Sequence, residues 1–573
     1  ALQASTWALA SIEGYTFDAS ADGLPTAQLG ALGQPDWIVL VDGQRVPLRV
    51  AGTRLLELLP ISLAQVERIV VSRDPRLVAG TLASRGVIEV HTRRHQRPLA
   101  RGSYAIGNER GDPGPYRYTD RASANVERLG PDAMALLAAG GARGDVQVGA
   151  RYSTLNVTDE ALLPRLAPDI GAFRRDLFQR VVSVTWSAAL RLGCATQGIV
   201  AGRARFEGVL YQPTRDDWTA TDLTHAGLSG AAPVGGTGAL RWSLGVQRLD
   251  VDTLAPRASS ALPHAHTSLL AHVEGESARG RTTLALALAG AHWSIDQAAR
   301  TSSRGEIGAT ARVRQSAAFG VVDAAFGALH SGGKTGLHAL ASLALPLDGA
   351  NALRLDGAWD ARPVDGERWS ETAAVDPVLT DVAGPSLGML GAAWRRADRR
   401  GTLTVGADAR LARDWSARAR AGLVRGDAAV YAAHARVALP EDAPLTASIE
   451  YRATLPTSNA PALDDVLAAT PRHAARATAG TGRLPGNFRL SGAFLARSAT
   501  RWPAIDDSAR APRTLPALVR LDASVEKWLW RDRAHLFLAA RNLLDRTERH
   551  HPEGAHFALR VHLGADVTFG AGR

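Results

Sequence analysis

The sequence predicts an all-β transmembrane barrel of about 22 antiparallel strands, preceded by a small mixed α/β unit. Three observations lead there. Apolar and polar residues alternate over stretches longer than soluble strands. Tight turns and long polar connections separate these stretches in turn. No apolar run approaches the roughly 20 residues that a membrane helix needs; Leu284 to Ala291 and Ile38 to Val41 are among the longest.

Composition sets the outer bounds. At 573 residues the chain is too long for one ordinary core, which stops growing near roughly 250–300 residues. Hydrophobic content is 46% and mean hydropathy is −0.08, which excludes a wholly disordered chain. The near-zero mean excludes a helical membrane protein but not a barrel, because alternate barrel residues face a wet lumen and the average cancels. A single cysteine, Cys194, excludes an internal disulfide framework and a cysteine-rich zinc site. Net charge is +10, and Lys334 and Lys527 are the only lysines, so nearly all basic charge is arginine. Arginine suits phosphate, whether of nucleic acid or lipopolysaccharide. These arginines are spread along the chain rather than gathered in a stripe, so no nucleic-acid partner is expected. Ala1 to Ala10 lacks the basic start and apolar core of a signal peptide, as a processed chain also would.

The strands follow from period-two alternation. From Phe557 to Phe569 the apolar set is Phe557, Leu559, Val561, Leu563, Ala565, Val567 and Phe569, with mostly polar or small residues between. Such a strand spans about 43 Å at roughly 3.3 Å per residue. Leu403 to Leu411, Tyr431 to Leu439, Leu337 to Leu345, Val182 to Leu190 and Leu240 to Val246 repeat the pattern. Pro440 to Pro444 and Asp348-Gly349 supply turn chemistry. Long connections lie at 156–175, 363–385, 456–471 and 497–516. Short turns at one end and long loops at the other mark an outer-membrane meander. From Ala100 on, about 21 or 22 residues serve each strand and its connection, against the roughly 9–11 that a spanning strand needs. The region 394–428 leaves strand direction ambiguous, because its turns are short. Trp394, Trp415, Trp528 and Trp530 fall near strand ends, where interfacial aromatics belong. Trp186 and Trp242 fall mid-strand and read as packing residues.

Residues 1–98 read differently. Trp37 to Val41 is a short apolar strand ending in the turn Asp42-Gly43. Ile61 to Val71 carries a short helical pattern into a strand, and Gly86 to Thr92 alternates as another. These residues resemble the plug domain of TonB-dependent outer-membrane receptors. The resemblance rests on Val39-Leu-Val-Asp42-Gly43-Gln-Arg-Val46, on Val66-Glu67-Arg68-Ile69 through Arg73-Asp74-Pro75, and on Ala79-Gly80 through Gly86-Val-Ile-Glu-Val90-His-Thr92. At the other end, Ala540-Arg541-Asn542-Leu543-Leu544-Asp545 is similar to the family's penultimate-strand segment. A final strand ending in Phe569 is similar to the signal read by barrel-assembly machinery.

The resemblance implies a plug at 1–98 inside a barrel at 99–573, in the outer membrane of a Gram-negative bacterium. It implies active uptake of a scarce solute such as an iron-siderophore or cobalamin. TonB with its inner-membrane energising proteins would be a partner, lipopolysaccharide and membrane lipid the surroundings, and a monomer the expected state. Asp42-Gly43 would turn at a plug apex, and Glu67 and Arg68 would pair with charges on the barrel wall. The chain departs from the family pattern at Arg73-Asp74-Pro75, which lacks a glycine, and at Ala79, where a tyrosine is usual. Ala1 to Thr6 shows no TonB box and the plug is short. These departures motivate an alternative: a TonB-independent relative serving as a structural, adhesin or phage-docking surface protein.

Remaining constellations are weaker. Gly332-Gly333-Lys334-Thr335 lacks the first glycine of a phosphate loop and reads as a hairpin tip. Gly384-Pro385-Ser386-Leu387-Gly388 has the spacing of a nucleophile elbow but lacks the strand before and helix after it. No catalytic residue and no resident cofactor are expected. His264 and His266, then His550, His551 and His556, fall in expected outer loops and could meet a metal or metal chelate. Asp365, Glu367, Trp369 and Glu371 form an acidic loop that could face a cation. Solvated loops are the simpler reading of both groups.

Overall fold

The computed structural model of the chain describes residues 16–19, 25–28, 37–47, 49–50, 53–54, 59, 65–72, 76–78, 81–83, 86–109, 132–156, 178–192, 194–211, 216–255, 264–297, 300–361, 363, 369, 386–419, 422–440, 443–468, 470–502, 513–546, 548–549, 556–557 and 559–570. Its N-terminal sheet joins four strands: β1 (Trp37–Val41), β2 (Gln44–Arg45), β3 (Val66–Ser72) and β4 (Gly86–Thr92), in the order β2-β1-β4-β3. β4 runs parallel to β1 and antiparallel to β3. A sheet covered on both faces needs continuous apolar strands rather than alternating ones. Accordingly Ile38, Val39, Leu40 and Val41 are all buried, as are Val87, Ile88 and Val90.

The barrel closes with 22 strands. They are β5 (Leu99–Glu109), β6 (Asp132–Gly141), β7 (Gly144–Asn156), β8 (Phe178–Leu192), β9 (Ala195–Tyr211), β10 (Asp216–Val234), β11 (Gly238–Ala255), β12 (His264–Arg279), β13 (Thr282–Gln297), β14 (Arg300–Ala317) and β15 (Gly320–Ser331). Next come β16 (Lys334–Pro346), β17 (Asn351–Asp360), β18 (Ser386–Asp398), β19 (Gly401–Ala419), β20 (Gly422–Ala438), β21 (Leu445–Ser458), β22 (His473–Thr481), β23 (Phe488–Arg497), β24 (Leu518–Leu529), β25 (Ala534–Arg541) and β26 (Arg560–Gly570). Each pairs antiparallel with its neighbour, and β26 returns to β5 with Phe569 opposite Ala100. The ambiguous stretch 394–428 resolves into β18, β19 and β20 in simple succession.

Side-chain alternation sorts the two faces. Leu284, Leu286 and Leu288 of β13 are exposed on the outside, while Trp293 and Ile295 of the same strand are buried inside. Leu228, Leu244, Leu269, Ile307, Phe326, Leu390, Ile449 and Leu563 continue the outer apolar face around the wall. That is the surface a bilayer would cover. Trp186 belongs to it, being 37% exposed, and is not a packing residue of a core.

Two strand expectations are corrected. The C-terminal stretch is not one strand from Phe557: His556–Phe557 pairs with Glu548–Arg549 in a separate hairpin, and the barrel strand starts at Arg560. Trp415 is not an interfacial aromatic. A register shift between Ala412 and Trp415, with Asp414 at φ 55, turns its ring inward. An extra residue in one strand bends it and re-aims the side chains beyond it. Trp415 there packs with Ala412, Ala428, Val430 and with Leu463 and Leu467 of the helix α1 (Pro461–Leu467).

Candidate functional site at the plug–wall seam

The seam starts from a tight turn. Asp42 and Gly43 have φ of 47° and 81°, the successive left-handed residues of a type I′ hairpin. The Asp42 carboxylate accepts hydrogen bonds from the Thr92 amide (2.9 Å) and hydroxyl (2.7 Å), which ties β1 to the end of β4. Arg94 lies 3.7 Å from Asp42 and 3.6 Å from Asp145 of the wall, bridging a plug carboxylate and a barrel carboxylate. Asp145 adjoins the short turn between β6 and β7. The Asp42-Gly43 turn therefore points to the short-turn end of the barrel, not to an apex beneath the long connections.

Above this turn the plug meets the wall through uncharged groups. Gln44 Nε2 donates to Ser229 Oγ at 3.4 Å. Gln65 Nε2 donates to Ser187 Oγ at 3.5 Å, and Thr185 Oγ1 donates to Gln65 Oε1. Gln247 Nε2 donates to the Pro47 carbonyl, and Gln147 Nε2 to the Arg93 carbonyl at 3.0 Å. Arg45 sits 6.0 Å over the Trp293 ring. Glu67 and Arg68, expected to make the wall contacts, are exposed on β3 and form no ion pair among the described residues. Desolvating a charge pair costs more than desolvating amides, so glutamine enters this buried contact at the lower cost.

The seam is also under-bonded. The buried Gln44 Oε1 has no hydrogen-bond partner among the described residues, while the side chains of Gln247 and Gln147 face the rings of His225 and His95. Each formed neutral bond contributes about 0.5–1.5 kcal/mol net, and each buried unpaired group costs about 1–3 kcal/mol. Among the described residues, the neutral bonds made and the groups left unpaired are of comparable size. Where the chain leaves the plug, the wall comes closer still: a Cβ on Gly140 would stand 1.7 Å from the His95 carbonyl oxygen. Beside it, burial holds the His95 imidazole below its ordinary pKa.

The lumen beyond the seam is charged. Arg241 reaches Glu274 at 3.2 Å and Glu276 at 2.8 Å, and Arg312 pairs with Asp323. Towards the long connections, Trp293 Nε1 donates to Glu306 at 2.9 Å, and Arg304 donates to Ser331 Oγ at 2.7 Å. Trp369 is buried against Trp293 and Ile295, with Arg304 5.9 Å over its ring. It is thus a lumen-packing residue. Its acidic neighbours Asp365, Glu367 and Glu371 lie outside the described residues, as do Arg73, Asp74, Pro75, Gly80, His550 and His551.

His264 and His266 are not in a loop. They open β12, with rings edge to face at 4.9 Å, and His266 lies between Leu249 and Ile295 in the sheet. His556 pairs with Arg549. No group of three or more metal-ligating side chains occurs among the described residues. Gly86 pairs with Trp37 in the plug sheet. Asn542, at φ 58, closes β25: its amide donates to Asp522 at 2.9 Å and its Nδ2 to the Arg546 carbonyl at 2.6 Å. Ser386 begins a strand and accepts from Trp359 Nε1 at 3.2 Å, so the elbow spacing does not sit on a strand-to-helix turn.

Sheet, seam and wall define a class: a closed barrel obstructed by its own N-terminal domain, the architecture the resemblance to TonB-dependent receptors implies. Neither family models nor curated proteins match the sequence. Solved structures do match the fold. A double mutant of the ferric enterobactin receptor PfeA of Pseudomonas aeruginosa superimposes at TM-score 0.75 and 12% identity, over 98% of this chain and 96% of that one. The F5-1 variant of the FrpB iron transporter of Neisseria meningitidis, as apoprotein, gives 0.73 and 10%, over 93% and 92%. A PfeA mutant in complex with enterobactin gives 0.73 and 12%, over 95% and 93%.

Proposed function

We propose that the chain is an outer-membrane receptor that takes up a scarce solute, of which an iron chelate is the first class to test and cobalamin the second. One observation carries this reading: a wide barrel whose lumen holds an N-terminal sheet that meets the wall mainly through polar side-chain contacts rather than packed apolar ones. A permanent seal would be built from packed apolar residues or satisfied networks. A barrel open to diffusion would carry no sheet in its lumen. The names of the solved structures, an iron transporter and a ferric enterobactin receptor, support the same reading.

The apolar outer face places the barrel in a bilayer, with its short turns to the periplasm and its long connections outside. Moving the seam requires work from elsewhere, so TonB and its inner-membrane partners are the proposed energy source. Lipopolysaccharide would surround the outer half, and a monomer suffices. The test is growth of a deletion strain on a panel of iron chelates and on cobalamin, each at limiting concentration. Loss of growth on one supplement, restored by the gene, is the expected result. Wild-type growth on every supplement would overturn uptake.

A further inference from the structure

The plug does not fill the lumen evenly. On the side of β10 to β14, a cavity of about 1250 Å³ lies between the plug sheet and the wall. It reaches the short-turn end, where Gly144, Arg191, Arg314 and Ser316 line it. A second space of about 30 Å³ lies further up the same wall, between Gln44 and Arg45 of the plug and Ser243, Ala289, Ala291 and Glu306 of the barrel. His272 lines both. The upper space holds only about two waters; it is a waist above a wide vestibule. Higher again stand Trp293 and Glu306.

The inward residues of β13 show why the wall is smooth here. Ala285, Ala287, Ala289 and Ala291 face inward in succession before Trp293. The opposite side of the waist is β2 with its tight turn. That hairpin is held by Gln44 to Ser229 at 3.4 Å and by Gln247 to the Pro47 carbonyl. The unpaired oxygen of Gln44 and the buried ring of His225, which faces Gln247, lie beside it. Opening the hairpin would hydrate these groups, which offsets part of the cost of parting it from the wall.

We propose that the solute leaves along this arc, through the waist, when the hairpin 41–47 swings from the wall while the rest of the plug sheet stays in place. Arg241 with Glu274 and Glu276 lines the vestibule with both signs of charge. The path therefore suits a hydrophilic solute of either sign. This inference rests on the uptake reading, but its test does not.

The test is KCl conductance of the full chain in planar bilayers, in a Cys194→Ser background that removes the single native thiol. Gln44→Ala with Gln247→Ala removes two hydrogen bonds and should raise conductance on the order of tenfold. Ala289→Cys in that background, modified after folding with a bulky methanethiosulfonate, should return it to the parent level. Ser448→Cys, lumen-facing on β21 and bonded to Thr478 at 2.7 Å, should not respond when modified. No rise in conductance, or equal block from both sites, overturns the path. If the double variant does not assemble, Gln247→Ser carries the same pair of measurements. A strain that grows on every supplement loses the uptake reading; a conductance insensitive at Ala289 loses only this inference.

Discussion

Two regions inside the same barrel are built on opposite principles. Around α1, Trp415, Leu463 and Leu467 are 2%, 0% and 1% exposed and pack with Ala412, Ala428 and Val430. Along the plug seam, Gln44 and Gln247 each make one bond to their partners across the seam, and Gln65 makes two. The first arrangement gains from apolar burial and loses sharply if trimmed. The second gains little, since bonds made are offset by groups left dry. The contrast separates what is fixed in the lumen from what can move.

The sharpest way to break that contrast is to trim both sides. Leu463→Ala should cost about 2–5 kcal/mol of local stability, the range for a fully buried leucine. Amide exchange across 461–467 should accelerate accordingly. Gly140→Ala comes next. Its methyl would collide with backbone at His95, which cannot swing aside as a side-chain tip can. Overpacking of this kind costs about 1–3 kcal/mol, and protease sensitivity of the segment 93–98 should rise. Gln247→Ala should cost about 1 kcal/mol or less and raise exchange in the hairpin 41–47 alone. If Gln247→Ala proved costlier than Leu463→Ala, the seam would be a fixed joint and the comparison would fail.

The barrel was legible in sequence because its signal is one of period. Leu284, Leu286 and Leu288 must face one medium and Ala285 and Ala287 another, whatever their partners. Strand ends were less legible, because Phe557 keeps the period of the final strand although it pairs with Glu548 in a separate hairpin. Trp415 was misread for a related reason: one residue of register shift reverses a face, and sequence does not announce the shift. The site was less legible still. Glu67 and Arg68 drew attention as charges, yet the wall is met by Gln44, Gln65, Gln147 and Gln247. Gln147 and Gln247 carry a usable hint, as large polar residues on the inward face of otherwise alternating strands. Gln44 and Gln65 carry none, because what they touch is more than a hundred residues away. His264 and His266 were read as loop residues because polarity at a strand's lumen-facing end looks like polarity in a loop.

The smallest expected effect tests the seam through its protonation. His95 lies between plug and barrel, and burial lowers its pKa from the ordinary value of 6.5. Burial is the largest influence; the Gln147 side chain and then Asp145 oppose it, and Arg93 adds to it. A lowered folded pKa means that the unfolded or detached segment binds the proton more readily. Docking is then fully supported above pH 6.5 and weakens as pH falls through 6.5 towards the folded value. The imidazole is only partly buried, so solvent screening keeps the effect modest. Trypsin cleavage after Arg93 and Arg94 should therefore rise slightly from pH 8 to pH 6 in the wild type, after correction for the enzyme's own pH dependence. His95→Gln, which keeps a polar group of similar size without a titrating proton, should flatten that slope. A slope unchanged by the substitution would remove His95 from the seam's energetics; Asp145, whose carboxyl burial pushes up, contributes with the opposite sign and cannot supply it.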